Sequence, residues 1–266
     1  MLIIFLLIIT VYTKEIILSA GVDKYSLKGL EEQYSLYKLY KNYNLITGAS
    51  ILAYYLSENG TLETYNNGEE LQYSLKINLN LTAYPCLFCD STIGACDNLN
   101  SRLEKVYLNE KYFFDQSIFK AKKYRWNGYY IDFEVNSFVD YNKLLDFILK
   151  WSKILYFNNL KFNLWIGDTY YNMSLLYNNK YINLISMTTY LKPYDQVKLI
   201  VNGYNNITTN MMYGLLTYQP DNPSIEIIYP NNELDNIINL FNDTEIISLW
   251  ASNIPKSWYN SLRNYN

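Results

Sequence analysis

Short apolar runs recur along the chain, separated by longer segments in which apolar residues fall three and four apart. The runs cover residues 15–20 (EIILSA), 50–56 (SILAYYL), 75–83 (LKINLNLTA), 128–134 (GYYIDFE), 161–167 (KFNLWIG), 182–188 (INLISMT), 211–217 (MMYGLLT) and 245–250 (EIISLW). Their length and aromatic, β-branched content predict strands. Segments such as LEEQYSLYKLYKNYN, NSRLEKVYLNEKYFFDQSIFKAKKY and YNKLLDFILKWSKILYFNN carry the helical period. Eight strands alternating with helices over about 250 residues predict an α/β fold, a single-domain (β/α)8 TIM barrel over residues 14–266. An open doubly wound sheet uses the same alternation, but no G-x-G-x-x-G turn follows an early strand, so that fold loses its main support.

Composition narrows the chemistry. The 266 residues are 50% hydrophobic, enough for a sizeable core, and no Pro/Gly/Ser-rich linker divides them. The net charge is −3 with Lys and Arg scattered, so no basic stripe is present to neutralise phosphates and nucleic acid is not an expected partner. The chain has no histidine. That excludes Ser-His-Asp and Cys-His nucleophile activation, HExxH zinc sites and histidine proton shuttles. Acid–base work falls to carboxylates, Tyr, Lys or Cys. The 30 tyrosines fill cores and also stack on sugars.

Residues 1–13 begin with an apolar run, Leu2 to Tyr12, too short for the roughly 20 residues of a membrane-spanning helix and suited to a signal peptide. A cleaved signal implies a secreted protein or one in the secretory-pathway lumen, with no membrane attachment afterwards. Sequons at Asn59, Asn80, Asn172, Asn206 and Asn242 fit that route. The three cysteines, Cys86, Cys89 and Cys96, sit close together in PCLFCDSTIGAC. In an oxidising compartment one local disulfide is expected, Cys89–Cys96 or Cys86–Cys96, with one thiol left over. A zinc site would need Asp90 or Asp97 as fourth ligand, and metal is not expected.

The run YRWNGYYIDFEVN raises a sharper question, because an apolar strand holds two carboxylates. Residues two apart share a face, so Tyr130, Asp132 and Glu134 point one way while Ile131 and Phe133 point the other. In a barrel the polar set faces the interior at the carboxyl end of the strand, where active sites of this fold are built. Like charges at such spacing, partly buried, raise one carboxyl's pKa and leave a proton for general acid work.

NGYYIDFE resembles the fourth-strand signature D-G-x-D-x-D-x-E of glycoside hydrolase family 18, matched at Gly128, Asp132 and Glu134. INLISMTTYL is similar to the family's sixth-strand Met-x-Tyr-Asp segment, MMYGLLTYQP to its seventh-strand Gly-Leu-Pro-x-Tyr stretch, and EIISLWASNIPKSW to its last strand with its Trp. The chain departs from the pattern at Asn127 and Tyr130, which replace the first two aspartates. Leu191 stands where Asp is usual, Tyr190 comes three residues after Met187, and Ser-x-Gly-Gly is missing.

The resemblance implies substrate-assisted retaining catalysis on β-linked N-acetylglucosamine. Glu134 would be the acid and base, and Asp132 would hold the acetamido N–H and balance the oxazolinium. Tyr190 would bond the acetamido oxygen, Trp250 would lie beneath the sugar, and Tyr130 and Met187 would complete the substrate site. No cofactor enters this scheme. The expected partner is an N-acetylglucosamine-containing glycan, from chitooligosaccharide or the chitobiose core of N-glycans. The alternative is a chitinase-like lectin that binds without efficient turnover.

Overall fold

A computed structural model of the chain describes residues 14–20, 27–89, 99–133, 139–167, 173–219, 222–230, 233–250 and 253–265. Eight strands form the wall: β1 (Glu15–Ala20), β2 (Gly48–Leu56), β3 (Cys86–Cys89), β4 (Gly128–Phe133), β5 (Lys161–Ile166), β6 (Asn183–Ser186), β7 (Met211–Leu216) and β8 (Ile246–Trp250). Each pairs in parallel with the next, and β8 returns to β1 in register from Glu15 against Ile246 to Ser19 against Trp250. The sheet therefore closes. This is the expected (β/α)8 barrel, and closure leaves no sheet edge in the wall.

The outer layer contains α1 (Leu27–Asn42), α2 (Gly68–Leu79), α3 (Leu99–Leu108), α4 (Glu110–Tyr124), α5 (Tyr141–Phe157), α6 (Tyr194–Asn205), α7 (Glu233–Leu240) and α8 (Tyr259–Tyr265). Helix α5 shows how the sequence specifies one of them. Asp140 accepts from the amides of Asn142 and Lys143 and so caps its free N-terminal donors. Its apolar stripe of Leu144, Phe147, Ile148, Trp151 and Leu155 is fully buried against the barrel.

Two expectations need correction. Most of the run 75–83 is not strand: α2 continues through Leu79, only Thr82–Ala83 at its end pair in parallel with β2, and the four-residue CLFC segment continues that pairing as the third barrel strand. Leu75, Ile77, Leu79 and Leu81 alternate in sequence, but Leu75 is buried while Ile77 is 45% exposed, as a helix requires. Nor does every strand lead to an α-helix. Among the described residues the β5–β6 connection holds only a 3-10 turn, Met173–Leu175, whereas β3 is followed by two helices.

The core has two parts. Outward side chains of the strands, including Tyr129, Ile131 and Phe133 of β4, pack with the helices. Inward side chains fill the barrel: Ile17, Leu52, Tyr84, Cys86, Phe88, Tyr130, Trp165, Ile185, Met212 and Ile246. The period-two reading of β4 is thus what the strand adopts. Cys86 and Cys89 face opposite sides, and Cys86 is a buried free thiol. That removes the Cys86–Cys96 pairing, and Cys96 lies outside the described residues, as do residues 1–13, Asn172, Asp90 and Asp97.

The floor of the barrel explains two positions of the fourth-strand motif. A Cβ on Gly128, whose φ is +156°, would lie 2.0 Å from the Lys161 carbonyl oxygen, so only glycine lets β4 and β5 approach there. Asn127 accepts from the Ala83 amide at 3.0 Å and from Lys76 Nζ at 2.9 Å, tying β4 to the segment before β3. It sits at the amino end of its strand, away from the mouth, so it acts on the fold.

Candidate active site

The inward positions nearest the carboxyl ends of β4, β5, β7 and β8 are Asp132, Trp165, Leu216 and Trp250. With Met187, Tyr190 and Tyr218, which follow β6 and β7, they line a pocket of about 270 Å³ at the barrel mouth. Four of the residues expected from sequence, Asp132, Met187, Tyr190 and Trp250, therefore meet in one cavity although 118 positions separate the first from the last. Glu134 lies outside the described residues.

Asp132 is half-buried, and its charge reaches two neighbours. Burial pushes the Tyr190 phenol well above its ordinary pKa, and the Asp132 carboxylate pushes it further. Tyr190 is thus a protonated donor throughout the neutral range. Cys86, one strand away on the same interior face, is raised for the same two reasons and stays a neutral thiol.

Tyr190 is held by a tight turn in which its amide donates to the Met187 carbonyl at 3.0 Å. The adjacent Thr189 hydroxyl donates to the Gly214 carbonyl at 2.6 Å, anchoring the turn to β7. Leu191 leaves the turn with a φ of 55° and is 44% exposed.

Sequence reasoning missed Trp165, Leu216 and Tyr218. Trp165 is the centre of the aromatic floor, with ring centroids 6.0 Å from Tyr190, 6.4 Å from Trp250 and 5.9 Å from Tyr130. Its signal was available: in KFNLWI it is the last residue on the face that Asn163 shares, hence inward at the mouth. Gly214 makes room for it. A Cβ there would lie 2.7 Å from Tyr190 Cε1 and 2.8 Å from Trp165 Cζ3. The Trp250 indole N–H lies against the Tyr218 hydroxyl and steadies the opposite wall.

Tyr130, expected at the substrate site, is fully buried beneath the pocket, packed on Tyr84 at 5.6 Å and on Trp165, and is not among the residues that line it. Burial holds its phenol neutral, with Ser248 the polar group nearest in effect.

No protein-family model matches the chain, and no curated protein sequence is similar to it. Solved structures do match. A chitinase from Chromobacterium violaceum ATCC 12472 superposes with a TM-score of 0.70 at 12% identity, over 94% of this chain and 98% of that one. The glycoside hydrolase family 18 chitinase ChiB of Flavobacterium johnsoniae gives 0.67 at 12% identity, over 95% and 94%. The spore cortex-lytic enzyme SleL of Bacillus megaterium QM B1551 gives 0.67 at 12% identity, over 96% of this chain and 74% of that one. The fold is that of the family 18 chitinases. In this chitinase-like barrel the pocket occupies the mouth, at the carboxyl ends of the strands, where enzymes of the barrel fold carry their chemistry.

Proposed function

We propose that the chain is a glycoside hydrolase of family 18 type, cleaving β-linked N-acetylglucosamine by substrate-assisted retaining catalysis. The observation that carries the proposal is the convergence of Asp132, Tyr190, Met187 and Trp250 on a single pocket. Three segments far apart in sequence, β4, the turn after β6 and the end of β8, deliver the carboxylate, the phenol and the indole that the chemistry needs.

In this scheme Glu134, two residues beyond Asp132, gives its proton to the leaving glycosidic oxygen as the bond to the anomeric carbon breaks. The acetamido carbonyl oxygen attacks that carbon and forms an oxazolinium. Asp132 accepts the acetamido N–H and balances the positive charge, while the neutral Tyr190 hydroxyl orients the carbonyl oxygen. Glu134 then takes a proton from water, which opens the oxazolinium with retention. Trp250 and Trp165 present apolar ring surface to the sugar.

A binding protein without turnover is the second reading, favoured by Tyr130. It places a neutral buried phenol beneath Asp132 where the family pattern has a charge. The choice is tested by hydrolysis of a fluorogenic N,N′-diacetylchitobioside and of a Man-GlcNAc₂ N-glycan, comparing the protein with Glu134→Gln. Cleavage lost in the variant supports the hydrolase and shows which substrate it takes. Saccharide binding without cleavage by either protein supports the lectin.

We also propose secretion, with residues 1–13 as a cleaved signal, and a Cys89–Cys96 disulfide. Cys86 is free and turned inward, which leaves the outward-facing Cys89 as the partner for Cys96. The sequon residues Asn59, Asn80, Asn206 and Asn242 are all exposed, as glycan acceptors must be.

A further inference from the structure

Helix α6 has two faces with separate tasks. Val197 and Val201 are buried against the barrel. Gln196, Leu199, Ile200 and Gly203 recur at the spacing of a second face, and they line a groove that runs along the helix from Lys192 to Ile207. Its volume is about 810 Å³. Among the described residues the β5–β6 connection supplies a 3-10 turn and no α-helix to pack there. Tyr177 of that connection reaches Tyr204, with ring centroids 6.5 Å apart, but Leu199 is left 73% exposed and Ile207 50%. Large aliphatic side chains gathered on an open helix face mark a contact surface.

What fits that face is set by the order of residues along it. Gln196 and Gly203 stand two helical turns apart, with Leu199 and Ile200 midway between them. Let two such helices lie antiparallel about a two-fold axis that passes between positions 199 and 200. Leu199 then meets the partner's Leu199, Ile200 meets the partner's Ile200, and each Gln196 lies over the partner's Gly203. Nothing lies within 4 Å of a Cβ built on Gly203, so there is room for the glutamine. At the ends of the groove Lys192 falls opposite the partner's Ile207, where its stem covers the isoleucine and its ammonium reaches water. No charge on this face meets its like. A surface that matches itself under two-fold rotation is what an isologous dimer requires. We propose that two copies of this chain pair through their α6 helices, antiparallel, in this groove. The groove shares Met187 and Tyr190 with the pocket at the barrel mouth, so the partner's helix also walls the open flank of the pocket. The contact is one helix wide, and the dimer is therefore weak and concentration-dependent.

Pairing of this kind needs neither hydrolysis nor saccharide binding, so it is measured on its own. Sedimentation equilibrium over a wide range of concentration is run on the protein and on Asn206→Gln, so that a glycan at that sequon does not mask the face. The expected result is a mass that climbs from that of one chain toward that of two. Gly203→Trp sets an indole where the partner's Gln196 would lie, and it should hold the protein monomeric with an unchanged urea midpoint. Leu199→Cys locates the axis, because a thiol there meets its own copy. Mild oxidation should link it into a dimer on a non-reducing gel and should not link Leu108→Cys, a position on α3 that is 75% exposed. A monomer at every concentration, in the protein and in Asn206→Gln alike, overturns the pairing and leaves the groove to a glycan or to another protein. A dimer that survives Gly203→Trp, or in which Leu199→Cys links no better than Leu108→Cys, is built on another surface and overturns it as well.

Discussion

Replacing Gly214 by Ala tests whether the aromatic floor is packed as described. The added methyl would sit 2.7 Å from Tyr190 Cε1, 2.8 Å from Trp165 Cζ3 and 3.2 Å from the Ser186 carbonyl oxygen. Carbon atoms rest at about 3.5–4.0 Å, so both rings must retreat by about 1 Å. Neither has an easy exit, because Trp165 is wedged between Tyr130 and Trp250 and Tyr190 is fixed by its turn. Overpacking of this kind costs about 1–3 kcal/mol. A displacement of about 1 Å in a positioning group costs on the order of a hundredfold in rate. Urea unfolding and kcat/KM on the diacetylchitobioside should therefore both fall in Gly214→Ala. Pairing it with Trp165→Leu should recover part of the stability loss, a non-additivity that a double-mutant cycle reads directly. A Gly214→Ala protein with the original midpoint and activity would refute the packing argument.

Other consequences follow from single groups. Asp132→Asn removes the charge proposed to balance the oxazolinium and should lower kcat by roughly a hundredfold with little change in the urea midpoint. Glu69 is partly buried, which raises its pKa, but hydrogen bonds from Lys120, Tyr54 and Tyr124 outweigh this and hold it below the usual carboxylate range. Its contribution is present above the unfolded pKa of about 4.3 and is lost as pH falls through the lower folded value. Because the Lys120–Glu69 pair is 17% and 12% exposed, Glu69→Gln should cost roughly 3 kcal/mol at pH 7. The gap in urea midpoint between the two proteins should then close toward pH 3. Gly128→Ala, which forces a Cβ onto the Lys161 backbone, should cost about 3 kcal/mol or more or prevent folding. Cys86 should resist iodoacetamide in the folded protein and react on unfolding, which peptide mass mapping of the labelled chain detects.

The barrel was legible because its strands alternate between two apolar environments. In β4 the pattern placed Ile131 and Phe133 against the helices and Asp132 at the mouth, and in β8 it brought Trp250 to the same level. The third strand was not legible. Cys86–Cys89 is four residues long and buried on both faces, so it shows no alternation, while the spacing of Leu75, Ile77, Leu79 and Leu81 imitates a strand within a helix and its exit. Trp165 escaped notice for a different reason. Trp is common in cores, and its alternation with Asn163, which turns it toward the barrel mouth, stands out less than a carboxylate does. Tyr130 shows the converse, since sharing a face with Asp132 does not mean sharing its depth. One layer down, the interior is solid.

Strand β4, with the residue just before it, divides its length between two tasks. Asn127 and Gly128 at one end hold neighbouring backbone, and Asp132 at the other faces the mouth. Because the tasks are separated along the axis of the barrel, each end can be altered without immediate damage to the other. At the lower end an amide ties segments together, and at the upper end a carboxylate faces the mouth. A division of this kind leaves the backbone path to the few residues that hold it, and this backbone superposes on the Chromobacterium violaceum chitinase at a TM-score of 0.70 with 12% identity.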